Sequence, residues 1–81
     1  MKVQAGRSKA VTKYLIIVEK TEMGYSTYSP DVRGCGSTGK TREEVEHNIQ
    51  EAIEVHLEGL RLEGSNVPEP SSYSSYVEVA A

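Results

Sequence analysis

Cysteine is nearly missing from this chain. Cys35 is the one example in 81 residues, so no disulfide can close within the chain. Long apolar runs are also missing. Nothing approaches the roughly 20 residues that a membrane-crossing helix needs. The first ten residues, MKVQAGRSKA, lack the apolar stretch of a secretory leader. These absences set the expectation of a cytoplasmic protein with no membrane association. A chain this short buries only a modest core and has no covalent staple, which favours association with itself or with a partner.

Acid is absent from the first 13 residues, which carry Lys2, Arg7, Lys9 and Lys13. From Tyr14 onward 5 basic residues stand against 12 acidic ones, a net charge of −7. A body of that sign repels phosphate backbones, so no direct nucleic-acid binding is expected. It suits a basic partner, because complementary potentials speed and orient encounter. Charge of this kind also keeps a small protein in solution whatever its partner.

Residues 1–10 show no periodicity and are expected to form a disordered arm. A single domain is expected over residues 11–79. Residues 11–20, VTKYLIIVEK, are β-branched and apolar and read as a strand. Tyr14, Ile16 and Val18 point to one face of it, and Leu15 and Ile17 to the other. The following KTEMG reads as a hairpin loop, and YSTYSP as a partner strand that Pro30 ends. Three glycines in residues 31–39 leave room for only a short strand.

The helix signal is the clearest in the chain. Thr41 is a good N-cap, and Glu44 three residues later completes a capping box. Val45, Ile49, Ala52, Ile53, His56, Leu57 and Leu60 recur at helical spacing on one face. Gly64 is a natural stop, and Pro68 and Pro70 forbid continuation. Residues 73–79 read as a last strand. The expected class is α+β, in the order β-β-β-α-β, with one amphipathic helix on one face of a small antiparallel or mixed sheet.

One stretch suggests chemistry. Residues 34–41, GCGSTGKT, satisfy the phosphate-binding pattern of nucleotide hydrolases. That loop must follow a buried parallel strand, and a second apolar strand must supply an aspartate for the metal. Neither is present: YSPDVR precedes the glycines, and the only later strand is short and ends VEVAA. No ATP or GTP binding is expected. Glu44 and His47 resemble half of a di-iron pair, but such a site needs four helices. His56 lies on the apolar face and reads as a packed or interface residue rather than a ligand. Cys35 reads as a small side chain in a tight turn, since no base can be placed beside it. The expectation is no enzyme, no catalytic residue, no cofactor and no metal.

Residues 28–60 read YSPDVRGCGSTGKTREEVEHNIQEAIEVHLEGL. This order resembles the HicB-like antitoxin family. Its pattern is a Gly-Tyr opening the second strand, then Y-x-P-D-x-x-G-C, a Gly-x-T turn, and a helix of the form T-x-E-E-A-x-x-N-x-x-E-A. Here Gly24, Tyr25, Tyr28, Pro30, Asp31, Gly34, Cys35, Gly39, Thr41, Glu43, Glu44, Asn48, Glu51 and Ala52 match, and Val45 replaces the family alanine. The resemblance runs from residue 13 to about 72. It implies a partial ribonuclease-H-like fold without catalysis, consistent with the lack of carboxylates in YLIIV. It also implies a partner, a small basic RNA-cleaving toxin of the HicA type. Longer members add a C-terminal DNA-binding domain, which is not expected in a chain that stops at Ala81.

The expected partner-binding residues are Tyr25, Tyr28 and Asp31 near the Pro30 turn, and Glu51 and Glu54 on the helix. Tyrosines join a large apolar area to a polar tip and serve as interface anchors. A homo-oligomer, most simply a dimer, is expected because YLIIV is apolar on both faces while one helix can cover only one.

Overall fold

The computed structural model describes residues 11–81, and the arm expected at residues 1–10 lies outside them. Three strands form an antiparallel sheet in the order β1-β2-β3: β1 is Ile17–Thr21, β2 is Gly24–Tyr28 and β3 is Gly36–Gly39. One helix follows, α1, Arg42–Glu63. The α+β class and the strand-strand-strand-helix order therefore match the sequence reading.

Thr21 pairs with Gly24, so Glu22 and Met23 form a two-residue hairpin turn. Gly24 sits at φ 150°, and a Cβ there would run into the carbonyl oxygen of Gly39 on the adjacent strand β3. Both requirements select glycine. Tyr28, the last residue of β2, pairs with Ile17 on one side and Gly36 on the other. Pro30 cannot donate to a ladder, so β2 offers nothing further to pair with. The paired strand therefore begins at Ile17 rather than at residue 11. The preceding segment is held differently. Ser29 Oγ donates to the Leu15 carbonyl at 2.8 Å, and Tyr14 and Ile16 pack against the core.

Helix α1 starts as its cap residues dictate. Thr41 Oγ1 accepts from the Glu44 backbone N–H at 3.0 Å. The Glu44 carboxylate reaches the Lys40 N–H, one residue before the position a capping box specifies. The helix ends at Gly64 (φ 75°), with Gly64 N–H on Arg61 O at 3.1 Å and Ser65 N–H on Leu60 O at 2.9 Å. This is the paired closure that a left-handed glycine permits.

Val45, Ile49, Ile53 and Leu57 recur every fourth residue and are buried against the sheet. Each such burial contributes about 1.5–3 kcal/mol. The core adds Val32, with 0 % of its surface exposed, and Cys35 from the loop between β2 and β3. That loop folds inward through Val32 N–H to Ser29 O and Cys35 N–H to Val32 O, both 3.3 Å. Gly39 lets α1 approach: a Cβ there would lie 2.6 Å from the Val45 backbone nitrogen.

The last strand is not formed. Residues 65–81 contain no helix or strand, so residues 73–79 have no ladder in this chain. Their alternating side chains suit a strand, but a strand needs a neighbour. Among the described residues β1 pairs only with β2, and residues 73–79 leave the domain instead of lying beside it.

Candidate partner-binding surface

Cross-strand partners share a face of the sheet, and the register therefore sorts the side chains. Val18 pairs with Thr27 and Lys20 with Tyr25. This set lies on the helix side, where Thr27 is buried. Ile17 and Tyr28, with Glu19 and Ser26, share the opposite, helix-free face. Tyr28 is exposed there.

Tyr25 is half-buried. Lys20 Nζ stands 5.1 Å from its ring centroid, a cation over a π face. Beside it, Lys40, Thr41, Arg42, Glu43 and Glu46 line a shallow hollow at the N-terminal end of α1.

Asp31 is already engaged. Its carboxylate accepts from the Ser72 N–H and hydroxyl, both 2.9 Å, and from the Ser71 N–H and hydroxyl, both 3.0 Å. The backbone N–H of Ser72, then that of Ser71, holds the carboxyl below its ordinary value. Asp31 thus clasps the C-terminal segment. A second tie lies nearby, with Tyr14 OH donating to Pro68 O at 2.6 Å.

Glu51 and Glu54 are exposed on α1. Glu51 Oε2 lies 3.3 Å from His47 Nε2, and Glu54 Oε2 accepts from Gln50 at 3.3 Å. They border different concavities. Glu51 edges an open hollow with Gly34, Asn48, Val55 and His56. Glu54 edges a groove of about 490 Å³ whose floor is Tyr14, Ile16, Ile49, Ile53, Leu57 and Val67. The five residues expected at a partner site therefore occupy separate places: the Asp31 clasp, the two faces of β2, and the two flanks of α1.

The groove is the feature that the sequence reading left unassigned. Its signal was present in YLIIV, which holds more apolar side chains than a single helix covers: all five are only half-buried. Val67, from beyond the helix, could not be placed there by periodicity.

The phosphate-binding pattern has another role. Gly36–Gly39 is strand β3, and the Thr41 hydroxyl is committed to capping α1. Cys35 donates its Sγ–H to Ala52 O at 3.7 Å. Burial pushes its thiol up, away from the nucleophilic thiolate. Among the described residues, no three His, Cys, Asp or Glu side chains converge as metal ligands, and no helix is long and apolar enough to cross a membrane.

Residues 14–80 match the family described as HicB-like antitoxin of bacterial toxin-antitoxin system. A UPF0150 protein of Synechocystis is 41% identical over 61 residues, covering 74% of this chain and 77% of that protein. An uncharacterized 14.9 kDa protein of Haemophilus phage HP1 is 38% identical over 64 residues, covering 79% of this chain. This chain spans only about half, 48%, of the phage protein's length. Among solved structures, a chain of the HicA3 and HicB3 toxin-antitoxin complex superposes with TM-score 0.64 at 38% identity, covering 74% of this chain and 70% of that one. The crystal structure of antitoxin HicB3 superposes with TM-score 0.62 at 40% identity, covering 70% of this chain and 42% of that one.

Proposed function

Because the chain belongs to the HicB-like antitoxin family, we propose that it binds and neutralises a small basic RNA-cleaving toxin of the HicA type by direct protein contact. The observation that carries this reading is its likeness, in sequence and fold together, to a chain solved in a toxin-antitoxin complex. Charge supports it. Residues 41–63 hold seven acids against Arg42 and Arg61, a net charge of −5. A surface that captures RNA must be positive, and an acidic protein occupies it by the same attraction. Neutralisation here is steric masking by a non-enzymatic protein. It takes place in the cytoplasm, where the toxin meets its RNA. Tyr28 on the helix-free face and Glu51 and Glu54 on α1 are free to meet a partner. Asp31 acts indirectly, by fixing the C-terminal segment. The chain also associates with itself, as a dimer, to cover apolar surface left by its single helix.

Co-expression with a HicA-like protein tests the toxin reading. Restored growth, protected RNA and a co-eluting complex are the expected results. Continued growth arrest with no complex overturns it, and capture of an unrelated protein would redirect it to a binding module with another partner.

A further inference from the structure

Two unsatisfied halves of one structure lie on this chain. The first is a free edge with an apolar groove beside it. Of the two sheet edges, β3 is closed over by α1, whose Asn48 side chain donates to Thr38 O at 2.9 Å. Strand β1 has β2 on one side and no hydrogen-bonded neighbour on the other among the described residues. Beside it, Tyr14 and Ile16 and the helix residues Ile49, Ile53 and Leu57 open onto the groove. The second half is the segment 73–79, YSSYVEV. Tyr73, Tyr76, Val77 and Val79 are 85, 96, 83 and 76 % exposed, touching almost nothing of their own chain. The segment is β-prone and carries one charge, Glu78.

We infer that residues 73–79 of one copy add as a strand to the free β1 edge of a second copy and fill its groove, while the second copy does the same in return. The Asp31 clasp and the Tyr14–Pro68 hydrogen bond fix where the segment leaves the domain. Past Ser72 it departs instead of folding back. The exchange satisfies main-chain groups on both partners and closes under two-fold symmetry, so it stops at two chains. On a strand Tyr73, Val77 and Val79 share one face and Tyr76 takes the other. Reciprocal exchange therefore places one tyrosine and two valines in each of two grooves, apolar area that the single chain leaves in water. A basic partner would meet Glu46 and Glu54 only at the rim, whereas the floor of Tyr14, Ile16, Ile49, Ile53 and Leu57 matches the apolar face of the tail.

This inference rests on the self-association proposed above and is independent of toxin binding. Light scattering at micromolar concentration is expected to give a two-chain mass for the full chain and a one-chain mass for a chain ending at Ser72. Val77→Asp, at a position exposed in the single chain, is expected to weaken the dimer by on the order of 100-fold without unfolding it. In a mixture of isotope-labelled and unlabelled chains, contacts from the tail to Tyr14 and Ile53 are expected between chains. A dimer that survives both changes overturns the strand exchange and leaves self-association standing. A full chain of one-chain mass overturns both. Tail contacts found only within a chain show a fold-back and overturn the exchange.

Discussion

Asp31 shows how much one side chain can organise. Read locally, it is the turn residue that follows a proline. In the fold its two oxygens take four hydrogen bonds from Ser71 and Ser72, 40 and 41 residues further along the chain. Backbone donors hold its folded pKa below the ordinary 3.8. The linkage sign follows from that direction: the clasp contributes fully above 3.8 and is lost as pH falls through the lower, folded value. Amide exchange at Ser71 and Ser72 is therefore expected to be protected at neutral pH and to lose that protection only in strong acid. Asp31→Asn should remove it at neutral pH; equal protection in wild type and variant would exclude the clasp. Gly39 makes a different, steric point. A methyl group there meets the backbone of Val45, which a rotamer change cannot relieve. Gly39→Ala is expected to lower unfolding free energy by about 1–3 kcal/mol in urea titration, whereas Gly59→Ala, where a Cβ meets nothing within 4 Å, should not destabilise.

At the scale of elements, α1 is legible because each of its determinants is local. Thr41 caps it, a stripe at every fourth residue buries it, and Gly64 ends it. Thr41→Ala is expected to cost about 0.5–2 kcal/mol and Ile49→Ala about 2–5 kcal/mol, both measurable by urea denaturation. A Thr41→Ala variant of unchanged stability would show that the hydroxyl does not stabilise the start of α1. The hairpin was legible for the same reason, its turn and its glycine being adjacent. Three things were not. Val32 is fully buried, yet PDVRGC has no periodicity to reveal it, because its burial comes from a loop folding under the helix. The apolar run over residues 11–20 is longer than β1, since pairing is limited by where β2 ends and not by the run itself. The segment 73–79 has a strand's composition but no ladder, because a strand is a relation between two segments. As for the candidate site, sequence and family pattern name five residues, but neither their separation over the surface nor the groove that Glu54 edges can be read from them.

The whole molecule is divided electrostatically. The first 13 residues carry four bases and no acid, and the rest is net −7. Helix α1 concentrates that charge where both Glu51 and Glu54 face solvent. Exposed acids of this kind add little to the stability of a complex, because water and salt screen them. They act during approach, over distances comparable with the roughly 8–10 Å screening length. If the partner is a basic toxin, the association rate is expected to fall steeply as salt rises. Reversing Glu51 and Glu54 together to lysine should slow association by about tenfold at low salt and change dissociation by less than about twofold. Stopped-flow mixing at two ionic strengths separates these quantities. If dissociation changes and association does not, the two glutamates lie inside the contact rather than steering toward it. A two-chain assembly strengthens the expectation, since a dimer presents two acidic helices to each approaching toxin. Val77→Asp, if it splits the proposed dimer, is then expected to lower the low-salt association rate per assembly although it adds one negative charge to each chain, because each assembly then presents one acidic helix instead of two.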